Sequence, residues 1–247
     1  MNWTPFAGFA AALVLLFFME RWVHRHLQGL MLLLANDADV ATVLYALPLL
    51  PGVILHETSH ALAGLLVGAR VGRISILPKK AGGRIQLGFV PVEATGAVRT
   101  ALIGLAPLIA GCLALLLIGY LRLGLGSAAL AVAAGDWELT VSALREAMRS
   151  NNFWLWAYLA FSVSNTMLPS RSDMRAWPVL LIFLLASAAL VALLGLGPAL
   201  VGPLTSALRW LAIACGLTIL VDLPFVLLIM LLEWAIGKAR GVRLQYQ

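Results

Sequence analysis

His56-Glu57-Thr58-Ser59-His60 is the part of this chain whose residue types and spacing could do chemistry. On a helix, residues four apart share a face, so the imidazoles of His56 and His60 can bind one metal ion together. Glu57 then stands beside that ion, where a carboxylate can act as general base toward a water molecule. Zinc is the implied metal, because it accepts imidazole and carboxylate ligands and in catalytic sites keeps three protein ligands plus one open position. Two imidazoles leave a third ligand to be found. The downstream acids Asp173, Asp222 and Glu233 are the candidates. Glu233 stands close to Lys238 and reads as a charge at a helix end, which leaves the two aspartates. His24 and His26 follow the first apolar run and read as interfacial residues.

These residues must be positioned by elements that live in lipid. Of 247 residues, 62% are apolar and 11% charged, and mean hydropathy is +0.97. Soluble domains carry about 25% charged residues, so a water-soluble fold is excluded. Apolar runs at about 3–19, 40–69, 97–120, 152–169, 177–196 and 205–236 are bounded by charged, Gly or Pro residues and predict an all-α polytopic membrane protein of about six transmembrane helices. The first run has no basic leader or small-residue cleavage site and reads as a retained anchor. His56 to His60 lies inside the second. An acidic residue at the centre of a membrane helix costs about 2.5 to 3.5 kcal/mol on insertion scales, so Glu57 is functional by default. The fourth run is short and enters a polar break, as in a discontinuous helix lining a cavity.

Two pieces do not span. Arg73 to Leu77 and Arg84 to Val90 alternate or are β-branched and flank Pro78, Lys79, Lys80 and Gly82-Gly83, which predicts a small membrane-associated β-hairpin within about 70–96. Residues 136–149 offer Asp136 as an N-cap and put Trp137, Val141, Leu144 and Met148 on one face, an amphipathic helix at the membrane interface. Cys112 and Cys215 sit alone in apolar runs, where free cysteine is a small hydrophobe. The net charge of +6 comes from residues scattered at the ends of apolar runs, so it reports topology and no nucleic-acid partner. With six crossings, eleven basic residues fall on the side of the hairpin and six on the other. That predicts a cytoplasmic hairpin and two cytoplasmic termini.

The chain resembles the site-2 proteases, a family of intramembrane zinc metalloproteases. His56 to His60 matches the family's motif within a transmembrane helix, and Gly68 to Val90 looks like its Gly-containing hairpin. Leu105-Ala106-Pro107 is similar to its Ala-Gly-Pro, and Asn165 to Asp173 keeps its Asn-to-Asp spacing. The chain departs from the pattern at Pro169, which stands four residues after Asn165 rather than three, at Met174 in place of Gly, and at Ser170-Arg171-Ser172 in place of an apolar stretch. The resemblance covers about residues 40–180, the catalytic core of a single 1–247 domain. It implies Asp173 as third zinc ligand and Asn165 as a contact to substrate backbone.

The expected activity is hydrolysis of transmembrane or juxtamembrane segments of membrane proteins. An edge strand of the hairpin, through Ile85 and Leu87, could hold an unwound substrate by strand addition. One rival is a membrane metalloprotease with a projecting zinc helix and a Glu ligand, which predicts polar sequence after the motif, whereas Ala61 to Val67 is apolar. The other is a non-proteolytic metal-binding assembly factor, which has no use for Glu57 as a base.

Overall fold

The computed structural model describes residues 4–81, 84–93, 96–170 and 172–242. It is helical apart from four short strands among those residues. Helix α1 (Thr4–Ala35) is followed by α2 (Ala38–Ala46), whose N-cap Asp37 accepts the amides of Asp39 and Val40. A single 3-10 turn, Leu47–Leu49, links α2 to α3 (Leu50–Leu66). Pro51 is tolerated in the first turn of α3, where an amide has no helical partner to lose. Helix α4 (Ala97–Leu117) ends in a π turn, Ile118–Arg122, and α5 (Gly126–Ala134), α6 (Trp137–Met148) and α7 (Phe153–Ser164) follow. After a 3-10 turn at Asp173–Ala176 come α8 (Trp177–Leu193) and α9 (Gly197–Arg240).

Among the described residues, four continuous helical stretches are long and apolar enough to cross a membrane: Phe6–Ala35, Ala38–Leu66, Ala97–Arg122 and Gly197–Arg240. Their outward faces stay apolar, with Leu62, Leu65, Leu113, Leu117, Leu227 and Leu231 all exposed, the surface expected of a chain solvated by lipid. This is a helical membrane protein. The two remaining expected spans correspond to α7 and α8, of 12 and 17 residues. At 1.5 Å per residue they reach about 18 and 25 Å, short of a hydrocarbon core of about 30 Å. Arg21, His24 and Arg25, expected beyond the first span, lie inside α1.

The direction of the last helix differs from expectation. His26 Nδ1 lies 2.6 Å from Glu233 Oε2, and further along both helices the Arg240 guanidinium donates to the Leu34 carbonyl at 3.2 Å. Helices α1 and α9 therefore run parallel. Six alternating crossings would make the first and last antiparallel, so the expectation of both termini on one face does not agree with this packing. Hydropathy marks where a helix crosses and carries no information about which neighbour it packs on.

The bundle interior has two main clusters. Val23, Leu27 and Leu30 of α1 meet Tyr45, Leu49, Val53, Phe161 and Ile229. Leu16 meets Cys112, Leu115, Ala160, Val163, Met167 and Cys215, which places both cysteines in the core as free thiols.

Between α3 and α4 the chain forms two small antiparallel ladders. Strand β1 (Arg70–Val71) pairs with β4 (Val92–Glu93), and β2 (Lys79–Ala81) pairs with β3 (Arg84–Gln86), with Lys80 opposite Ile85. The expected strand from Arg73 to Leu77 is reduced to one bridge, Ser75 with Phe89. The expected turn residues Gly82 and Gly83 lie outside the described residues. A β-carbon on Gly64 of α3 would stand 2.9 Å from Val71 and 3.0 Å from Val92, so the β1–β4 ladder rests on the end of that helix.

Helix α6 starts from Asp136, whose carboxylate accepts the Leu139 amide. Its protein-facing side is Thr140, Ala143 and Ala147. Trp137, Val141 and Met148, three of the four residues expected on one apolar face, are exposed, while Leu144 packs on the cluster around Leu123 and Ala128.

Candidate metal centre

Backbone contact fixes α3 against its neighbours. A β-carbon on Gly52 would fall 2.1 Å from the Ser162 carbonyl oxygen and 2.2 Å from Thr166 Oγ1, so α3 and α7 touch where only glycine fits. The Gly52 amide, in the first turn of α3, donates to Ser162 Oγ at 2.9 Å. A β-carbon on Gly104 would lie 2.3 Å from the Asp173 carbonyl oxygen. These approaches bring α3, α4 and the chain after α7 to one point.

At that point stand His56, His60 and Asp173, the group among the described residues that could hold a metal ion. His56 Nε2 and His60 Nε2 are 3.1 Å apart. Asp173 Oδ1 lies 3.3 Å from His60 Nε2, and Oδ2 lies 3.8 Å from His56 Nε2. Ligand atoms about 2.0–2.1 Å from a tetrahedral ion stand about 3.3 Å from one another. The three observed separations bracket that value.

The outer nitrogens are committed. His56 Nδ1 donates to the Thr166 carbonyl at 2.6 Å, and His60 Nδ1 to the Ile103 carbonyl at 2.9 Å. A carbonyl only accepts, so each Nδ1 carries hydrogen and each neutral ring turns a bare Nε2 lone pair toward the other. Two such lone pairs at contact distance, beside a carboxylate, are relieved by a positive charge between them. A proton on one Nε2 could supply it; a metal ion would do so and use all three ligands at once.

Both accepting carbonyls are free for a structural reason. In α4 the Ile103 carbonyl would ordinarily take the amide of residue 107, but Pro107 has none. Thr166 lies just past the end of α7, where carbonyls have no helical donor.

Asp173 is held by its own turn, its Oδ2 accepting the Ser170 amide at 2.7 Å. Arg171 lies outside the described residues. Glu57 is 7% exposed and near enough to interact electrostatically with His60 and Asp173. Its flank is covered by Gly88, where a β-carbon would stand 2.7 Å from both Glu57 Cγ and Oε1.

The other candidates lie elsewhere. Asp222 is 1% exposed, with the Ser164 hydroxyl 2.8 and 2.9 Å from its two oxygens. Glu233 pairs with His26, and His24 bonds to Tyr45 and to the Asn165 carbonyl. Asn165 is buried at 1%, its amide nitrogen 2.9 Å from the Phe161 carbonyl, 3.0 Å from Ser164 Oγ and 3.3 Å from Asp222 Oδ2. Ile85 and Leu87 are half-buried against the cluster containing Val53 and Phe161. Sequence reasoning did not find Ile103, Thr166, Gly52, Gly88 or Gly104. The proline four residues after Ile103 was the one available signal.

Comparison of the chain with protein-family models, with curated proteins and with solved structures gave no match.

Proposed function

We propose that this protein is a zinc-dependent intramembrane endopeptidase of the kind the site-2 protease resemblance implies. The observation that carries the reading is the convergence of His56, His60 and Asp173 with Glu57 beside them, on a helical stretch long and apolar enough to cross a membrane. Bound zinc would supply a Lewis acid that polarises a peptide carbonyl and lowers the pKa of water to about 7. Glu57 takes the proton from the attacking water and delivers it to the leaving amine. His56 and His60 keep their Nε2 atoms turned inward because their Nδ1 atoms are bonded to Thr166 and Ile103. Asp173 closes the ligand set from the break after α7, the route by which water would enter.

The substrate is a membrane-protein segment that must be unwound before its peptide groups are reached. Strand β3 and the chain after it carry Ile85, Leu87 and Gly88 past Glu57, so an extended substrate added there would lie across the site. Asn165, buried and bonded to Phe161, Ser164 and Asp222, anchors the backbone beside the site rather than offering a free amide to substrate. Parallel α1 and α9 favour five crossings, with α7, the polar break and α8 forming one discontinuous crossing. Irregular backbone at membrane depth is tolerated where it lines a water-filled cavity, and Ser170 and Ser172 are exposed beside the partly buried Asp173, as such a lining would be.

The deciding experiment is zinc analysis and cleavage of a membrane-anchored peptide by the purified protein in detergent. About one zinc per chain is expected. Glu57→Gln should retain the metal and lose cleavage; full cleavage by that variant would remove Glu57 as the base.

A further inference from the structure

The end of α7 presents two consecutive carbonyls, and histidines from two different helices take them. Thr166 accepts from His56, a ligand candidate. Asn165 accepts from His24 Nε2 at 2.7 Å. Since a carbonyl only accepts, His24 Nε2 carries hydrogen, and in the neutral ring Nδ1 is left to accept the hydroxyl of Tyr45, itself 3% exposed. Glu20 stands one turn before His24 on α1, its Oε1 3.6 Å from Nε2. From the opposite side the Asn165 amide and the Ser164 hydroxyl reach Asp222 of α9. Residues 164–166 are therefore gripped by α1 and α9 before the chain turns toward Asp173.

We propose that His24 is a positioning residue for the metal centre, acting through the Asn165 carbonyl on the neighbouring Thr166 carbonyl that orients His56. This rests on the metal-site reading above. The physical case is that a helix end has no ladder beyond it, so the direction of its last carbonyls is set by whatever donors meet them. His24 is the donor that fixes Asn165. The rigid peptide plane that carries the Asn165 carbonyl also carries the Thr166 amide and Cα, and that amide is tied to the Val163 carbonyl at 3.2 Å, so a shift at the first carbonyl moves the Cα from which the Thr166 carbonyl, and with it the His56 contact, is hung. Ile103 has no such dependence, because its carbonyl sits within the body of α4. The effect of His24 should fall on His56 and leave His60 alone.

The test is metal affinity by chelator competition, together with the visible spectrum of the cobalt-substituted full-length protein. His24→Ala should weaken zinc binding about tenfold, the lower end of what loss of an outer-shell partner costs, and should change the cobalt bands. His24→Gln, whose amide nitrogen can reach the same carbonyl, should restore most of the affinity and the spectrum. Tyr45→Phe, which frees the His24 ring with little change of volume, should shift the spectrum in the same direction and serves if His24→Ala does not fold. Unchanged affinity and spectrum in folded His24→Ala, or in Tyr45→Phe if the alanine variant is lost, would overturn the proposal, as would a glutamine variant as weak as the alanine one. Metal retained by His56→Ala would instead overturn the metal-site reading, and this proposal with it.

Discussion

His60 and Pro107 are joined through a carbonyl that belongs to neither. Pro107 lacks the amide that would occupy the Ile103 carbonyl, and His60 Nδ1 occupies it at 2.9 Å. The proline thus creates a vacancy in the α4 ladder that a ligand imidazole fills.

Pro107→Ala should separate stability from metal binding. The new amide would compete for Ile103, weakening the hold on His60, so zinc affinity should fall about tenfold. Helix α4 should become no less stable, since alanine is favoured over proline by about 3 kcal/mol in a helix interior. Chelator competition and thermal denaturation on the same preparation check both.

Gly88→Ala should impair cleavage without loss of metal. Its β-carbon would stand 2.7 Å from Glu57 Cγ and Oε1 and 2.9 Å from Val53 Cγ1, so the flexible carboxylate side chain is the group that yields. A displacement of about 1 Å in a catalytic group can cost about a hundredfold in rate. Wild-type turnover by Gly88→Ala would show that Glu57 tolerates the move.

Asp173→Asn should strip zinc while preserving volume, because it removes the charged ligand from a set whose other two members are neutral imidazoles. Asp222→Asn should leave at least part of the metal in place, its partners being Ser164 and Asn165. Metal analysis of the two purified variants distinguishes coordination from packing. The reverse outcome would move the ligand to α9.

Parallel α1 and α9 predict that a tag placed before Thr4 and one placed after Val242 are reached from opposite faces of the membrane. Protease protection of oriented vesicles measures this. Simultaneous protection of both tags would restore an even number of crossings.

Much of the site was legible because it is local. The spacing of His56 and His60 is a helix period, whereas the residues alone left Asp173 and Asp222 open, and only the resemblance to the site-2 protease pattern implied Asp173. The helical class followed from apolar run length, and the cap at Asp136 followed from one side chain's habit of accepting the amides ahead of it. What escaped were features made by two segments together. Gly52, Gly88 and Gly104 look like ordinary small residues until a neighbour's backbone arrives beside them. The carbonyls of Ile103 and Thr166 have no side-chain signature at all.

The common direction of α1 and α9 also bears on how the chain enters a bilayer. Under five crossings Arg70, Arg73, Lys79, Lys80, Arg84 and Arg99 share one face, and Arg122, Arg145, Arg149, Lys238, Arg240 and Arg243 share the other, six against six. Charge bias between loops, which ordinarily tells the insertion machinery which way a protein should lie, is balanced. What bias remains then lies in charges carried within the helices themselves. Arg21 and Arg25 near the middle of α1 are two of these, so replacing them should change which way the bundle lies.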